Sequence, residues 1–221
     1  FCVNELGGFY LDVIKDRQYT TKADSAARRS AQTALYHVAE AMIRWMAPIL
    51  SFTAEEAWEQ MPAPVSAARE PSVLLAEWYG DLFCAKDEKF DDAFWRRIMT
   101  VKTEVNKLLE KARNEKTVGA SLGAKVTLYV DGQLAQDLAS LGDELRFVTI
   151  TSTADVKALD ETAGQATEIE GLRVLVEASE HEKCDRCWHH REDVGAHKEH
   201  ETLCGRCVEN VAGDGEQRSF A

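Results

Sequence analysis

Four cysteines dominate the end of the chain. Cys184 and Cys187 are separated by two residues, as are Cys204 and Cys207, and sixteen residues lie between the pairs. Two thiolates at that gap wrap one ion in a tight turn, with Gly205 easing the second turn. Four thiolates complete the tetrahedron that Zn2+ takes in structural sites, at about 2.3 Å per bond. A sphere so filled has no open position for water, so one structural zinc ion is expected and no metal catalysis. The pairing favours metal over disulfides and places the protein in a reducing, cytoplasmic setting. A four-thiolate zinc centre is dianionic. Arg186 and Arg206, one in each turn, are placed to offset that charge or to reach phosphate. His189, His190, His197 and His200 lie between the pairs and read as exposed or supporting groups, because four cysteines already suffice. Trp188 is expected to pack on the zinc core, with a stacking face for a nucleic-acid base as the alternative. Cys2 and Cys84 lack partner spacing and read as buried apolar residues.

The elements that must position this module are mostly helical. Phe9, Val13 and Ile14 give the first helix an apolar side. From about Ser25 to Ala47, Leu35, Val38, Met42, Trp45, Met46 and Ile49 recur at spacings of three and four, which predicts a second helix with one buried stripe. Asp24 is its expected N-cap and Pro48 its stop. Thr53 and Glu56 form an expected capping box opening a short helix to Met61. Pro62, Pro64 and Pro71 mark residues 62–86 as loop. The longest helix is expected over Asp87–Lys116, about 40 Å long, with Phe90, Phe94, Ile98, Val101, Val105, Leu108, Leu109 and Ala112 as its core stripe. The period then changes. Strands are expected at Lys125–Val130, Arg146–Thr151 and Leu172–Ala178, with a turn at Asp131-Gly132 and a short helix over Gln133–Leu141.

Composition bounds the function. The 221 residues are 45% hydrophobic, which excludes a wholly disordered chain, and carry a formal net charge of −12. With no run of eighteen apolar residues, no membrane-spanning helix is expected. The chain opens Phe1-Cys2-Val3 with neither Met nor a basic leader, which reads as the edge of a longer protein without a signal peptide. The negative charge argues against a broad polyanion binder, yet it is uneven. Residues 94–125 carry eight basic groups against three acidic ones. On the long helix Arg96, Lys107 and Lys111, flanked by Arg97, fall opposite the apolar stripe and could meet phosphates. Lys15, Arg17 and Tyr19, where a helix gives way to a loop, offer a charge, a phosphate fork and a stacking plane for an unpaired base. Recognition of a single-stranded loop by stacking and edge hydrogen bonds needs few cations, so an acidic protein can still bind RNA.

Several runs resemble a known family. The opening Phe1-Cys2-Val3-Asn4-Glu5-Leu6, the segment from Phe9 to Tyr19 and the run from Ala47 to Trp58 resemble the anticodon-binding helical domain of bacterial isoleucyl-tRNA synthetases. The last of these is also shared in part with the valyl and leucyl enzymes. Lys116–Leu122 resembles the junction after the long helix, and Cys204–Glu216 is similar to the family's C-terminal zinc module. The resemblance implies a mainly α chain. It would consist of a helical-bundle anticodon-binding domain (1–118), a small α/β junction unit (119–180) and a four-cysteine zinc module (181–221). It further implies a monomer that binds isoleucine-specific tRNA, joined to the rest of a synthetase chain and away from membranes. The family's nucleotide-binding motifs, written HIGH and KMSKS, are absent, so no catalytic residue is expected and this segment alone should not ligate. A rival reading is a DNA-binding module, because a four-cysteine zinc unit of this spacing also ends formamidopyrimidine-type DNA glycosylases. Those enzymes use an N-terminal proline nucleophile, and this chain begins with Phe1.

Overall fold

A computed structural model describes residues 1–62, 68–80, 82 and 89–221. They fall into two compact units that do not follow chain order: Phe1–Arg28 with Asp87–Ala221, and Arg29–Lys86. Among the described residues no helix is long and apolar enough to cross a membrane.

In the first unit a wide π-helical segment, Cys2–Tyr10, runs straight into α1 (Leu11–Thr20). Val13, Ile14, Arg17 and Thr20 form the buried side of α1, the spacing of a single helical face. The long helix α4 (Asp92–Asn114) spans about 35 Å. Its N-terminus is capped by Asp91, whose carboxylate accepts the Phe94 amide at 2.7 Å. The helix therefore starts later than its apolar pattern suggests, since the acidic cap fixes the first turn; residues 87 and 88 of the expected span lie outside the described residues. Phe94, Ile98, Val101, Val105, Leu109 and Ala112 of the expected stripe are buried.

This stripe packs on a four-stranded sheet with strand order β2-β1-β4-β3. β1 (Ala124–Val130) pairs parallel with β2 (Thr153–Lys157), Val126 opposite Ala154 and Leu128 opposite Val156. It pairs antiparallel with β4 (Leu172–Ala178), Val126 opposite Val176 and Leu128 opposite Val174. A two-residue strand, β3 (Gln165–Ala166), closes the other edge of β4. The crossover from β1 to β2 carries α5 (Gly132–Ser140), entered through Gly132 at φ +69°, and α6 (Leu145–Thr149). The sequence pattern placed a strand over Arg146–Thr151, whereas the chain forms α6 there, followed by left-handed Ile150 at φ +57°. Alternation cannot be read in this segment because all five residues of α6 are buried. Thr149 strengthens the helical choice by donating its hydroxyl back to the Leu145 carbonyl at 3.1 Å.

The second unit contains most of α2 (Ala26–Met46), α3 (Ser51–Gln60) and a single 3-10 turn, Val73–Leu75. Ser25, not Asp24, caps α2, its hydroxyl accepting the Arg28 amide at 3.2 Å. α3 begins at Ser51, so Thr53 sits inside the first turn instead of capping it. Glu55 has a different task, accepting from the Ser72 hydroxyl at 2.8 Å and the Val73 amide at 3.0 Å. The core is Ile43, Ala47, Ala54, Trp58 and Val73. The expected α2 stripe is rotated: Trp45 and Ile49 are exposed, and Leu35, Val38, Met42 and Met46 are half-buried. Small residues decide the buried side instead, Ala41 and Ala47 among them, because they let large partners approach closely. Trp58 fills that space, its indole N–H bound to the Glu70 carbonyl at 2.8 Å and its ring covered by the Arg69 guanidinium at 4.1 Å.

Candidate functional site

The four cysteines converge. Cys184, Cys187, Cys204 and Cys207 are all buried, and their sulfurs lie within 4.8 Å of one another. Cys187 Sγ and Cys204 Sγ are 3.7 Å apart. That is too long for a disulfide and matches the edge of about 3.8 Å that a tetrahedron with Zn–S bonds near 2.3 Å must have. The first turn is closed by the Trp188 amide on the Cys184 carbonyl at 2.9 Å and by left-handed Trp188 at φ +65°. The second opens α7 (Gly205–Ala212). Gly205 is required for close approach more than for its turn: its amide donates to Asp193 at 2.9 Å, and a Cβ there would stand 2.7 Å from that oxygen. The Cys204 amide points at Cys184 Sγ at 3.4 Å, and Arg186 reaches Cys207 Sγ at 3.9 Å, so part of the thiolate charge is met by the protein. Nothing in the donor set offers an open position. The four thiolates would hold Zn2+ as a brace, and the ion would supply cross-linking and no reaction.

A buried ionic network carries this module. The Asp16 carboxylate, on α1, takes Arg206 in a two-pronged contact at 2.7 and 2.9 Å and Arg218 at 2.9 Å. Glu216 adds a contact to Arg206 at 3.0 Å. Burial alone would raise the Asp16 carboxyl, but Arg206, then Arg218 and His189, outweigh it and hold the group at about 2. Glu144 captures the backbone amides of Ser219, Phe220 and Ala221 at 2.6 to 2.8 Å. Residues 214–221 thus form a strap, with Phe220 packed on Phe90 and Arg218 lying 3.4 Å over the Phe147 ring.

Beside the module opens a cavity of about 650 Å3, lined by α1, α4, α6 and the first cysteine turn. Tyr19 (76% exposed) and Trp188 (59% exposed) stand on its wall, together with Lys15 and Arg186. Among the described residues, two of the three non-glycine residues with left-handed backbone, Ile150 and Trp188, also line it. Strained backbone of this kind gathers at functional sites and is held there by its surroundings.

Lys15, Tyr19, Arg186 and Trp188 are therefore brought together, while the other expected contacts are elsewhere. Arg17 is buried, its place on the apolar side of α1 being the readable sign. Arg206 is buried in the Asp16 network. On α4, Arg96 pairs with Asp92 at 2.6 Å, Lys107 with Glu104 at 2.7 Å and Glu168 at 2.9 Å, and Lys111 donates to Gln165 at 2.7 Å. Trp188 is exposed, so it does not pack on the zinc core, where Val194 and Leu203 sit instead. Among the histidines, His189 is buried 5.5 Å from the Phe147 ring, and the His190 amide donates to Ser152 at 2.6 Å. Cys2 is exposed, contrary to expectation, because it lies on the outer side of the π-helical segment; Cys84 lies outside the described residues. Sequence reasoning missed Asp16, Glu144 and Arg218, whose roles depend on partners up to 202 residues away. It also missed Lys102, although its spacing from Ile98 and Val105 puts it beside the core stripe.

A helical scaffold with a small mixed sheet, braced by a closed four-thiolate module, is the class that this fold and site define. Residues 1–128 match the family profile described as the anticodon-binding domain of tRNA ligase, and residues 182–210 match the zinc finger found in FPG and IleRS. The chain belongs to the family of anticodon-binding domains of tRNA ligases, and its cysteine cluster is a structural zinc site. The isoleucine–tRNA ligase of Halorhodospira halophila is 58% identical over 226 residues, a match covering 100% of this chain and 24% of that protein. Those of Saccharophagus degradans and Vibrio vulnificus are each 57% identical, with 23% and 24% of their lengths covered. The chain spans about a quarter of the length of these curated relatives.

Proposed function

We propose that this chain is the anticodon-recognising part of an isoleucine–tRNA ligase. The whole enzyme would attach isoleucine to its tRNA with ATP, in the cytoplasm, and this part would bind tRNA without ligating. Within it, residues 1–118 form the helical-bundle recognition domain, 119–180 the junction and 181–221 the brace, acting as a monomer joined to the rest of the synthetase. The observation that carries this reading is the cavity onto which Lys15, Tyr19, Arg186 and Trp188 converge. Two exposed rings beside cations suit an unpaired base and its phosphate, the features of a single-stranded loop. The similarity over the whole chain to isoleucine–tRNA ligases disfavours the glycosylase-type alternative, which shares only the zinc unit. Arg96 and Lys107, with their charges already met by Asp92, Glu104 and Glu168, and Lys111, tied to the Gln165 amide, would add only screened attraction.

Binding of an isoleucine tRNA, measured by fluorescence anisotropy against duplex DNA competitor, tests the reading. Tyr19→Ala and Trp188→Ala should each weaken tRNA binding about tenfold while zinc content stays unchanged. Equal affinity for duplex DNA and tRNA, or full affinity in the double variant, would refute it.

A further inference from the structure

In the second unit, α2 is apolar on two sides, and the unit's own core uses one of them. Ile43 and Ala47 fall together and pack with Trp58 and Val73. The larger residues Leu35, Val38, Met42, Trp45 and Met46 fall elsewhere, about 130° round the helix at 3.6 residues per turn. A helix with apolar residues on both sides is built to be covered on both. The unused side ends in Trp45 and runs on through the turn after Met46 to Ile49, Leu50 and then Phe52 in the first turn of α3. Ile49 is 84% and Phe52 93% exposed, and Trp45 and Leu50 are exposed with them. Four such side chains present roughly 400 Å2 of bare apolar surface, the size that marks a contact surface.

The charge around this patch selects its occupant. Residues 45–68 carry three carboxylates and no cation. Glu56 and Glu59, both exposed, follow Phe52 by four and seven residues and so share its side of α3. Arg44, just ahead of the patch, is already held by Glu40. Such a rim repels RNA phosphate, and it equally repels a second copy of the same acidic surface. A protein surface that is apolar at its centre and edged with Lys and Arg is complementary to it. This chain spans about a quarter of the length of the ligases it matches, so a large partner surface is available within one such ligase. We propose that Trp45, Ile49, Leu50 and Phe52 form the face on which the rest of the ligase docks, through an apolar surface with a basic rim. This rests on the chain being part of such a ligase and adds which face joins it to the remainder.

Hydroxyl-radical footprinting read by mass spectrometry, on the isolated chain and on the whole ligase, tests the docking face. Trp45 and Phe52 should be oxidised about fivefold more slowly, or less, in the whole ligase, because an interface core excludes water as an interior does. Ile49→Glu combined with Phe52→Glu in the whole ligase should return Trp45 to the rate seen in the isolated chain. The same pair in the isolated chain should leave tRNA affinity unchanged. Equal oxidation of the two wild-type proteins overturns the proposal, as does a Trp45 that stays protected in the double variant. Loss of tRNA affinity in the isolated double variant would make this an RNA surface, and protection that grows with the concentration of the isolated chain would make it a self-contact; either overturns the proposal. Should the double variant of the ligase fail to fold, the wild-type comparison still decides. Failure of the isolated chain to bind tRNA would strike the recognition reading alone and leave the footprint standing.

Discussion

Replacing Asp16 by asparagine removes the anion on which the zinc module and the strap are hung. The carboxylate makes three short contacts, two to Arg206 and one to Arg218, at 2.7 to 2.9 Å, and is 13% exposed. Holding its carboxyl at about 2 instead of the ordinary 3.8 corresponds to about 2.5 kcal/mol in favour of the charged form. Asparagine also leaves two buried guanidinium groups short of a counter-charge, so the expected loss is about 3 kcal/mol or somewhat more. Urea unfolding of the first unit in zinc-containing buffer at pH 6, followed by circular dichroism, measures it. Because folding depresses this group, its contribution is complete above about pH 4 and is lost as pH falls toward 2. The gap between wild type and variant should therefore narrow in acid. A gap under about 1 kcal/mol at pH 6, or one unchanged at pH 3, would show that the network does not anchor the module.

Chelating zinc should release residues 181–212 to fast amide exchange while 214–221 stay protected, since Phe220 and Ala221 belong to the main core; loss of both segments together would contradict this. Lys102 loses its proton more readily folded than unfolded, so stability should rise between about pH 8 and 10.5, by up to about 3 kcal/mol relative to a flat Lys102→Met profile. Parallel profiles for the two proteins would count against a buried charged lysine. Trp58→Ala should destabilise the second unit by about 4 kcal/mol, and Trp58→Phe by about half as much because only the Glu70 bond and some ring contact are lost; no loss in Trp58→Phe would mean the indole N–H contributes nothing. Alanine at Arg96, Lys107 and Lys111 together should change the salt dependence of tRNA binding by less than one counterion, and a steeper change would return α4 to the binding surface.

The metal site was legible because its chemistry is local. Two Cys-x-x-Cys turns specify their own geometry, and the folded sulfurs meet at tetrahedral spacing. The α4 stripe was equally readable, since one helix faces one core along its whole length. Legibility failed where the partner is distant. Nothing near Arg206 in sequence announces Asp16, so a buried anchor looked like a free phosphate ligand. In α6 every residue is buried, which erases the periodicity that tells helix from strand. On α2 the large apolar residues suggested one face, but alanines set the packed side by allowing closer contact. Tyr19 was readable as a stacking residue, whereas Trp188 read first as packing on the zinc core, and their convergence on one cavity needed the fold.

The link from Asp16 to Arg206 also sets an order of events during synthesis. Asp16 leaves the ribosome 190 residues ahead of Arg206, an interval of about 10–40 s at ordinary elongation rates. Throughout that time α1 holds a carboxylate without its counter-charges, although α4 becomes available earlier to cover Val13. The nascent α1 is thus a waiting client, exposed to chaperones and proteases until Arg206 and Arg218 arrive to close over it.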